Sequence, residues 1–111
     1  MRRGFLAEDS AADYLVQIGY TIVTRRFKCR HGELDIVALD GETLVFVEVK
    51  ERRAPGWSPE EGVDRKKVEA LCAASEEYLW KMGETSRTVR FDLVAIDSDG
   101  LRHHIDAFRP S

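Results

Sequence analysis

The sequence predicts a single α/β domain, residues 1 to 111, in which helices flank a central sheet. Two patterns lead to this prediction. Apolar residues recur at helical spacing over residues 6 to 18 and over 68 to 82, and each run stops at a glycine. Strand-like alternation covers residues 20 to 30 and both halves of 32 to 53. It returns at 89 to 96 and 101 to 108. The predicted order is helix, three antiparallel strands, helix, two strands.

The first helix carries an acidic residue on its apolar side. Ala11, Ala12, Leu15 and Ile18 form the apolar stripe, and Glu8 falls on the same stripe. A carboxylate in the first turn gains from the helix dipole, but if it points inward it needs a partner. The residues alone therefore favour a capping or edge position for Glu8.

The turn of the hairpin formed by residues 32 to 53 decides which residues share a face. Asp40-Gly41 lies between two apolar runs and predicts a two-residue type I′ turn, which pairs Asp35 with Phe46. One side is then apolar throughout and comprises Leu34, Ile36, Ala38, Val45, Val47 and Val49. A three-residue loop would instead slip the pairing by one and send the two strands' charges to opposite faces.

The other side of the hairpin gathers charges at the end away from the turn. Glu33 is predicted to pair with Glu48, with Asp35 diagonal to Glu48 and Lys50 two residues further along. Carboxylates whose Cβ atoms lie roughly 7 to 8 Å apart can share one divalent cation. Without a counter-charge they raise each other's pKa. The alternative is a solvated hairpin end at which Lys50 forms weak surface ion pairs.

The segment after the hairpin is predicted to be a loop that leads into the second helix. Pro55 and Gly56 favour a loop over residues 51 to 58. Trp57 is expected to pack on the domain's own edge, with stacking on an unpaired base as the alternative. Ser58 begins a capping pattern, and Lys67 lies near the helix start. The helical stripe that follows comprises Val68, Leu71, Cys72, Ser75, Leu79 and Met82.

Composition limits the class of protein. A chain of 111 residues can bury one modest core. Cys29 and Cys72 do not suggest a disulfide framework, which fits a reducing cytosol. No stretch resembles a signal peptide or a membrane span, so we expect a cytoplasmic protein without a membrane partner. His103 and His104 are adjacent on a predicted strand and point to opposite faces, so neither is assigned to a metal.

The distribution of charge is more informative than the net charge of −3. An acidic balance does not by itself indicate a nucleic-acid binder. Most of the 17 basic residues, however, fall in four clusters, three of which flank the charged hairpin end or the loop after it. Such clusters can hold phosphates beside a metal site, although charge runs also mark solvated edges. The clustered residues are Arg2, Arg3, Arg25, Arg26, Lys28, Arg30, Lys50, Arg52, Arg53, Arg65, Lys66 and Lys67.

Two resemblances to known proteins add to these patterns. G-E-L-D, a spacing of twelve residues and E-V-K resemble the motif of the PD-(D/E)XK nuclease superfamily, whose members hydrolyse nucleic-acid phosphodiesters with a divalent metal. A longer ordered set resembles the YraN-like family of small bacterial proteins, which is related to archaeal Holliday-junction resolvases. It spans roughly residues 4 to 108 and consists of A-E-D-x-A-A-x-Y-L, G-Y, G-E-L-D-I-V, L-V-F-V-E-V-K-x-R, a basic helix start, R-F-D-L-V and D-A-F.

The resemblance implies a fold, an activity and a set of metal ligands. The fold would be restriction-endonuclease-like, with a mixed central sheet flanked by helices. The activity would be metal-dependent endonucleolytic cleavage of DNA, including branched or junction DNA. The implied ligands of Mg²⁺ or Mn²⁺ are Asp35, Glu48, the main-chain carbonyl of Val49, and Glu8 or Glu33.

The resemblance and the charge pattern together assign roles to the cationic residues. Lys50 would orient the attacking water or stabilise the transition state. A resolvase-like role would further imply a two-fold homodimer, because a four-way junction offers two equivalent strands. The clustering of charge assigns phosphate contacts to Arg25, Arg26, Lys28, Arg30, Arg52 and Arg53, and Lys67 is added because the family shows a lysine at the start of this helix.

Two other function classes stay open at this point. One is a nuclease-fold module that binds nucleic acid without cutting it, and the other is a protein-interaction subunit, for which the acidic balance is more natural. Metal-dependent cleavage would separate the nuclease from both alternatives. Salt-sensitive binding to a branched duplex would separate the second class from the third.

Overall fold

A computed structural model describes residues 6 to 52 and 54 to 109. The order of its elements is the order that the sequence predicts. The helices are α1 (Leu6–Gln17), a 3₁₀ helix (Pro59–Gly62) and α2 (Arg65–Met82). The strands are β1 (Thr21–Cys29), β2 (Gly32–Asp40), β3 (Thr43–Glu51), β4 (Val89–Asp97) and β5 (Gly100–His104). The assignments for Arg2, Arg3 and Arg53 lie outside the described residues.

The five strands form one mixed sheet in the order β1-β2-β3-β4-β5. β3 and β4 run parallel, whereas the other neighbouring pairs are antiparallel. Parallel neighbours need a crossover connection, and α2 provides it. The predicted α/β fold is confirmed, and a five-stranded mixed sheet flanked by two helices is compatible with a restriction-endonuclease-like architecture. Within the described residues, no helix combines the length and the apolar character needed to cross a membrane.

Two buried clusters hold the helices against opposite faces of the sheet. The α1 cluster contains Ala11, Ala12, Leu15, Tyr20, Ile36, Ala38, Val45, Val47, Val94 and Ile96. The α2 cluster contains Leu34, Val37, Leu44, Phe46, Leu71, Ala74, Tyr78 and Phe91. Ile18, predicted to lie on the apolar stripe of α1, is instead 46% exposed, because the helix ends at Gln17 and Gly19 turns the chain with a φ of 102°.

The hairpin turn differs from the predicted one. Asp40 pairs with Thr43, so Gly41 and Glu42 form the loop, and the register is shifted by two residues. Gly41 has a φ of 62° and Glu42 has no positive φ, which is the pattern of a type II′ turn. The predicted partners are therefore wrong: Phe46 pairs with Val37. A shift by two preserves each strand's faces, so Asp35 and Glu48 stand across from each other, one step beyond the last ladder pair.

A kink in β1 interrupts the alternation beside Asp35. Arg26 has a φ of 52°, in the left-handed region. In the β1–β2 ladder, Arg25 pairs with Ile36 and Phe27 pairs with Leu34, but Asp35 has no partner on β1. Beyond the kink, Leu34 and Phe27 pack with α2, whereas Ile36 packs with α1. The prediction that Leu34 shares the apolar face of Ile36 is therefore wrong.

Candidate active site

Asp35 on β2 and Glu48 on β3 lie side by side, one residue beyond the last pair of the β2–β3 ladder. Asp35 Oδ2 accepts a hydrogen bond from the main-chain N–H of Val49 at 2.9 Å, and Glu48 is only 4% exposed. Burial, the negative charge of Glu48 and a hydrogen bond with it raise the pKa of Asp35 to about 8. The Val49 N–H and the charge of Lys67 act in the opposite direction but are outweighed.

One oxygen of Glu48 is left without a partner. Within the described residues, the buried Oε1 atom accepts no hydrogen bond from an N–H or hydroxyl donor. A buried carboxylate oxygen in this state is costly unless a proton or a cation lies between it and its neighbour. The pKa of Asp35 is raised because burial and the neighbouring charge of Glu48 both disfavour its ionised form.

Two lysines from different elements reach the other oxygen of Glu48. Lys67 Nζ lies 3.3 Å from Oε2, and Lys50 Nζ lies 3.9 Å from it. Lys50 follows Glu48 by two residues on β3 and so shares its face. Lys67 is set in the first turn of α2, where its N–H donates to the capping carboxylate of Asp64 at 2.8 Å.

The 3₁₀ helix forms the side of the site next to Lys50. A Cβ atom on Gly62 would stand 3.8 Å from Cδ and Cε of Lys50 and 3.6 Å from Nη2 of Arg52. Glu60 anchors this helix to β5, because Arg102 donates two hydrogen bonds to its carboxylate at 2.8 and 3.0 Å. These bonds, with a further one from His104, lower the pKa of Glu60 to about 2.

The two carboxylates suit a hard divalent cation. Among the described residues, no group of three or more His, Cys, Asp or Glu side chains could hold a metal, so the available side-chain ligands are Asp35 and Glu48. Mg²⁺ characteristically binds one or two carboxylates and keeps water or substrate oxygens for its other positions. The orphaned Glu48 Oε1 therefore fits such an ion, with the Val49 main chain beside it.

Comparison with known proteins gives the family. The family described as "Uncharacterised protein family UPF0102" matches residues 7–96. The chain belongs to the UPF0102 family. A UPF0102 protein of Persephonella marina is 39% identical over 107 residues, covering 96% of this chain and 92% of the relative. Relatives from Geobacter sulfurreducens and Rhodococcus jostii are 42% and 45% identical, each covering 95% of this chain and 87% and 94% of their own lengths. The predicted YraN-like membership is confirmed, while the relatives' names state no activity.

In this UPF0102 chain, Glu8 is buried and paired. It is 7% exposed, and its Oε1 accepts hydrogen bonds from Arg25 Nε at 3.0 Å and Arg26 Nη1 at 2.6 Å. The preference for a capping or edge position was therefore wrong. The described contacts place Glu8 against β1, and Glu33 forms an ion pair with Lys28 at 3.8 Å, so neither joins the Asp35–Glu48 pair in this structure.

The residues assigned to phosphate fall into two groups. Arg25, which also contacts Asp9, and Arg26 have side chains only 26% and 28% exposed, and both are engaged by α1 carboxylates. Lys28, by contrast, is 86% exposed. Arg30 and Arg52 are also exposed, and Lys67 is half-buried at Glu48. The cations that contact the carboxylate pair are Lys50 of β3 and Lys67 of α2.

Trp57 does not pack on the domain's edge as predicted. It is 60% exposed, and its ring lies over the guanidinium of Arg52, with 5.8 Å between Cζ and the ring centroid. The loop residues before it, Ala54 to Gly56, are exposed as well.

Sequence reasoning missed a buried polar network on β4 and β5. Asp92 is fully buried and accepts hydrogen bonds from Arg90 Nε at 2.9 Å and from the Asp106 N–H at 3.1 Å. His103 Nε2 lies 2.7 Å from the other carboxylate oxygen, and Tyr14 hydrogen-bonds the opposite ring nitrogen. An acidic residue inside the apolar run F-D-L-V-A-I was the available signal.

Proposed function

We propose that this UPF0102 chain is a cytoplasmic, Mg²⁺- or Mn²⁺-dependent endonuclease that hydrolyses phosphodiester bonds in DNA, including branched or junction DNA. The observation that carries the proposal is the buried Asp35–Glu48 pair, in which Glu48 Oε1 lacks a partner within the described residues. Burying two adjacent carboxylates is unfavourable for folding alone, and perturbed acidic pairs of this kind are characteristic of functional sites.

Each residue of the site has a distinct part in this proposal. Asp35 and Glu48 would hold the metal, with the main-chain carbonyl of Val49. When bound, the cation supplies Lewis acidity, which acidifies a water molecule and neutralises charge on the phosphate. Lys50 places a positive charge on the same face as Glu48, where it stabilises the developing negative charge of the phosphoryl group. Lys67 holds a phosphate oxygen from the α2 side.

Metal binding and cleavage test the proposal separately. Calorimetric titration of the wild type with Mn²⁺ should show binding that Asp35→Asn abolishes, while Asp99→Asn, on an exposed turn, leaves it unchanged. A panel of branched, flapped, single-stranded and duplex DNA should be cut by the wild type only with Mg²⁺ or Mn²⁺. No binding at millimolar metal, or equal binding by Asp35→Asn, would remove the metal site.

A second candidate function is a nucleic-acid-binding module that does not cut. The observation in its favour is that Lys67 and Lys50 already bring two positive charges to Glu48. In that case, salt-sensitive binding to branched DNA would persist in the presence of a chelator, and no substrate of the panel would be cleaved with either metal.

A further inference from the structure

Trp57 is an exposed aromatic ring held in a defined place. Its 60% exposure leaves much of the ring accessible to a partner. The Arg52 guanidinium lies within cation–π distance, at 5.8 Å from the ring centroid. Arg52 is itself anchored, because its main-chain N–H donates to the carbonyl of Ile96 at 3.0 Å and extends the pairing of β3 with β4. The ring is therefore attached to the sheet through Arg52.

The cation–π pair of Arg52 and Trp57 lies next to the candidate active site. The Arg52 guanidinium and the Lys50 side chain both lie within 4 Å of one point, the place that a Cβ of Gly62 would occupy. Lys50 Nζ in turn lies 3.9 Å from Glu48. A strand of nucleic acid whose phosphate lies at Lys50 would therefore bring a neighbouring base to Trp57.

The surroundings of the pair favour an anionic polymer. Lys50 lies near the end of β3 and Arg52 directly follows that strand, while Arg65 and Lys66 are exposed in the first turn of α2. The nearby Glu61 stays negatively charged, and the N–H and hydroxyl of Ser58 both donate to its Oε2 atom at 2.9 Å, which holds it at the start of the 3₁₀ helix. A phosphate beside the ring would therefore contact the surrounding cations and not this carboxylate.

From these contacts we infer that Trp57 and Arg52 form a stacking platform for an unpaired nucleobase, and that the substrate is DNA with a single-stranded stretch next to the bond that is cut. The inference rests on the proposed function and narrows its substrate class. A base within a blunt duplex has both faces covered by its neighbours, whereas a base in a tail, flap or junction can present one face to an aromatic ring.

The second tryptophan provides a matched control. Trp80 is 78% exposed, near the C-terminal end of α2, about 20 Å along the helix axis from Lys67. Its surface groove is lined by Arg30, His31, Glu76, Glu77 and Lys81, and by none of Asp35, Glu48, Lys50 and Lys67. A base-stacking role therefore belongs to Trp57 and not to Trp80.

Tryptophan fluorescence tests the platform directly, because the chain has only two tryptophans. The Trp80→Phe variant reports on Trp57 alone, and Trp57→Phe reports on Trp80 alone. Both are titrated in chelator, so that cleavage plays no part, with oligothymidylate, a blunt duplex of matched length and an abasic oligomer of that length. Oligothymidylate should quench Trp57, whereas the duplex and the abasic oligomer should quench it little. Trp80 should not respond.

Binding isotherms give a second readout. Trp57→Ala should weaken oligothymidylate binding about 5- to 100-fold, the range expected for one base stack, while Trp80→Ala should bind as the wild type does. The salt dependence of binding should be unchanged in Trp57→Ala, because the ring carries no charge. It should be shallower in Arg52→Ala and restored in Arg52→Lys. Circular dichroism checks that each variant is folded.

The platform and the nuclease can fail independently. Unquenched Trp57 at saturation, equal quenching by the abasic oligomer, absent binding or wild-type affinity in Trp57→Ala would each overturn the platform, even if the protein cuts DNA. Quenching of Trp57 by oligothymidylate, in a protein that binds no metal and cuts nothing, would keep the platform and reject the nuclease.

Discussion

At the scale of single residues, Lys50 is the side chain whose removal should separate chemistry from folding. It is half-buried, its ammonium lies 3.9 Å from Glu48, and it belongs to neither apolar cluster. Lys50→Ala should therefore lower cleavage about 100-fold or more at saturating substrate, with Mn²⁺ affinity and thermal stability close to wild type. Lys81→Ala, at an exposed position in the last turn of α2, is the control. Wild-type turnover by Lys50→Ala would show that Lys50 is only a surface ion.

Asp92 predicts how the fold responds to acid. Burial alone would raise the pKa of this carboxyl, but hydrogen bonds from His103 and Arg90 outweigh burial and lower it to about 2. The unfolded chain, with the ordinary value of 3.8, therefore takes up the proton first as the pH falls. The stability that Asp92 contributes is complete above about pH 4 and is lost as the pH falls towards 2, an effect of about 2 kcal/mol.

The acid response can be measured by urea unfolding between pH 2 and pH 5 for the wild type and Asp92→Asn. The variant should be less stable at pH 5, and its free energy of unfolding should fall by about 2 kcal/mol less between the two limits. Comparing the two proteins cancels the titration of carboxylates common to both. If the free energy of unfolding fell equally with pH in the wild type and in Asp92→Asn, the lowered pKa of Asp92 would be contradicted.

At the scale of elements, the start of α2 places Lys67 at the site. Asp64 caps the helix by accepting the Lys67 N–H at 2.8 Å. Asp64→Ala should lower the free energy of unfolding by about 1 kcal/mol, whereas Asp64→Asn and Asp64→Ser should retain most of it. Because the cap lies beside Lys67, the alanine variant should also bind DNA more weakly. Chemical denaturation and a binding isotherm check both effects, and an alanine variant as stable as the asparagine variant would contradict the cap.

The order of the elements was predictable because it depends on local patterns. The helices follow from apolar spacing and from the glycines that end them, and the strands follow from alternation. The strand register was not predictable to the residue. Asp40-Gly41 and Gly41-Glu42 are both acceptable two-residue loops, and only the packed sheet selects the second. The resulting shift brings Asp35 across from Glu48, a closer pairing than the diagonal one that the sequence suggests.

Local sequence patterns could not predict the contacts between elements that are distant in the sequence. The kink at Arg26 has no sequence signal, since a positive φ at arginine is unfavourable in isolation, yet it moves Leu34 to the α2 side. Likewise, nothing in the run R-R-F-K distinguishes the two arginines that pair with Glu8 from the exposed Lys28. The carboxylate pair could be predicted because its residues lie on neighbouring strands, whereas Lys67 was assigned only through the family resemblance.

At the scale of the whole molecule, the basic clusters divide into structural and accessible cations. Arg25 and Arg26 neutralise the buried Glu8, so Arg25→Gln with Arg26→Gln should lower the free energy of unfolding by about 1 to 3 kcal/mol. Lys28→Gln, at a side chain 86% exposed, should change it by less than about 0.5 kcal/mol. Thermal unfolding ranks the two variants. Equal stability would show that the Glu8 pairs contribute little.

The last prediction concerns the number of copies that act on one substrate. Each chain contributes one Asp35–Glu48 pair within its described residues, while a four-way junction offers two equivalent strands for cutting. Paired incision of a junction therefore needs two copies related by a two-fold axis, whereas a flap or tail needs only one. Light scattering with Ca²⁺ in place of Mg²⁺ should show two 12.7 kDa chains on each junction and one on each tailed duplex. A single copy on both substrates would restrict the proposed nuclease to flaps and tails, and two copies on both would make the dimer independent of the symmetry of the DNA.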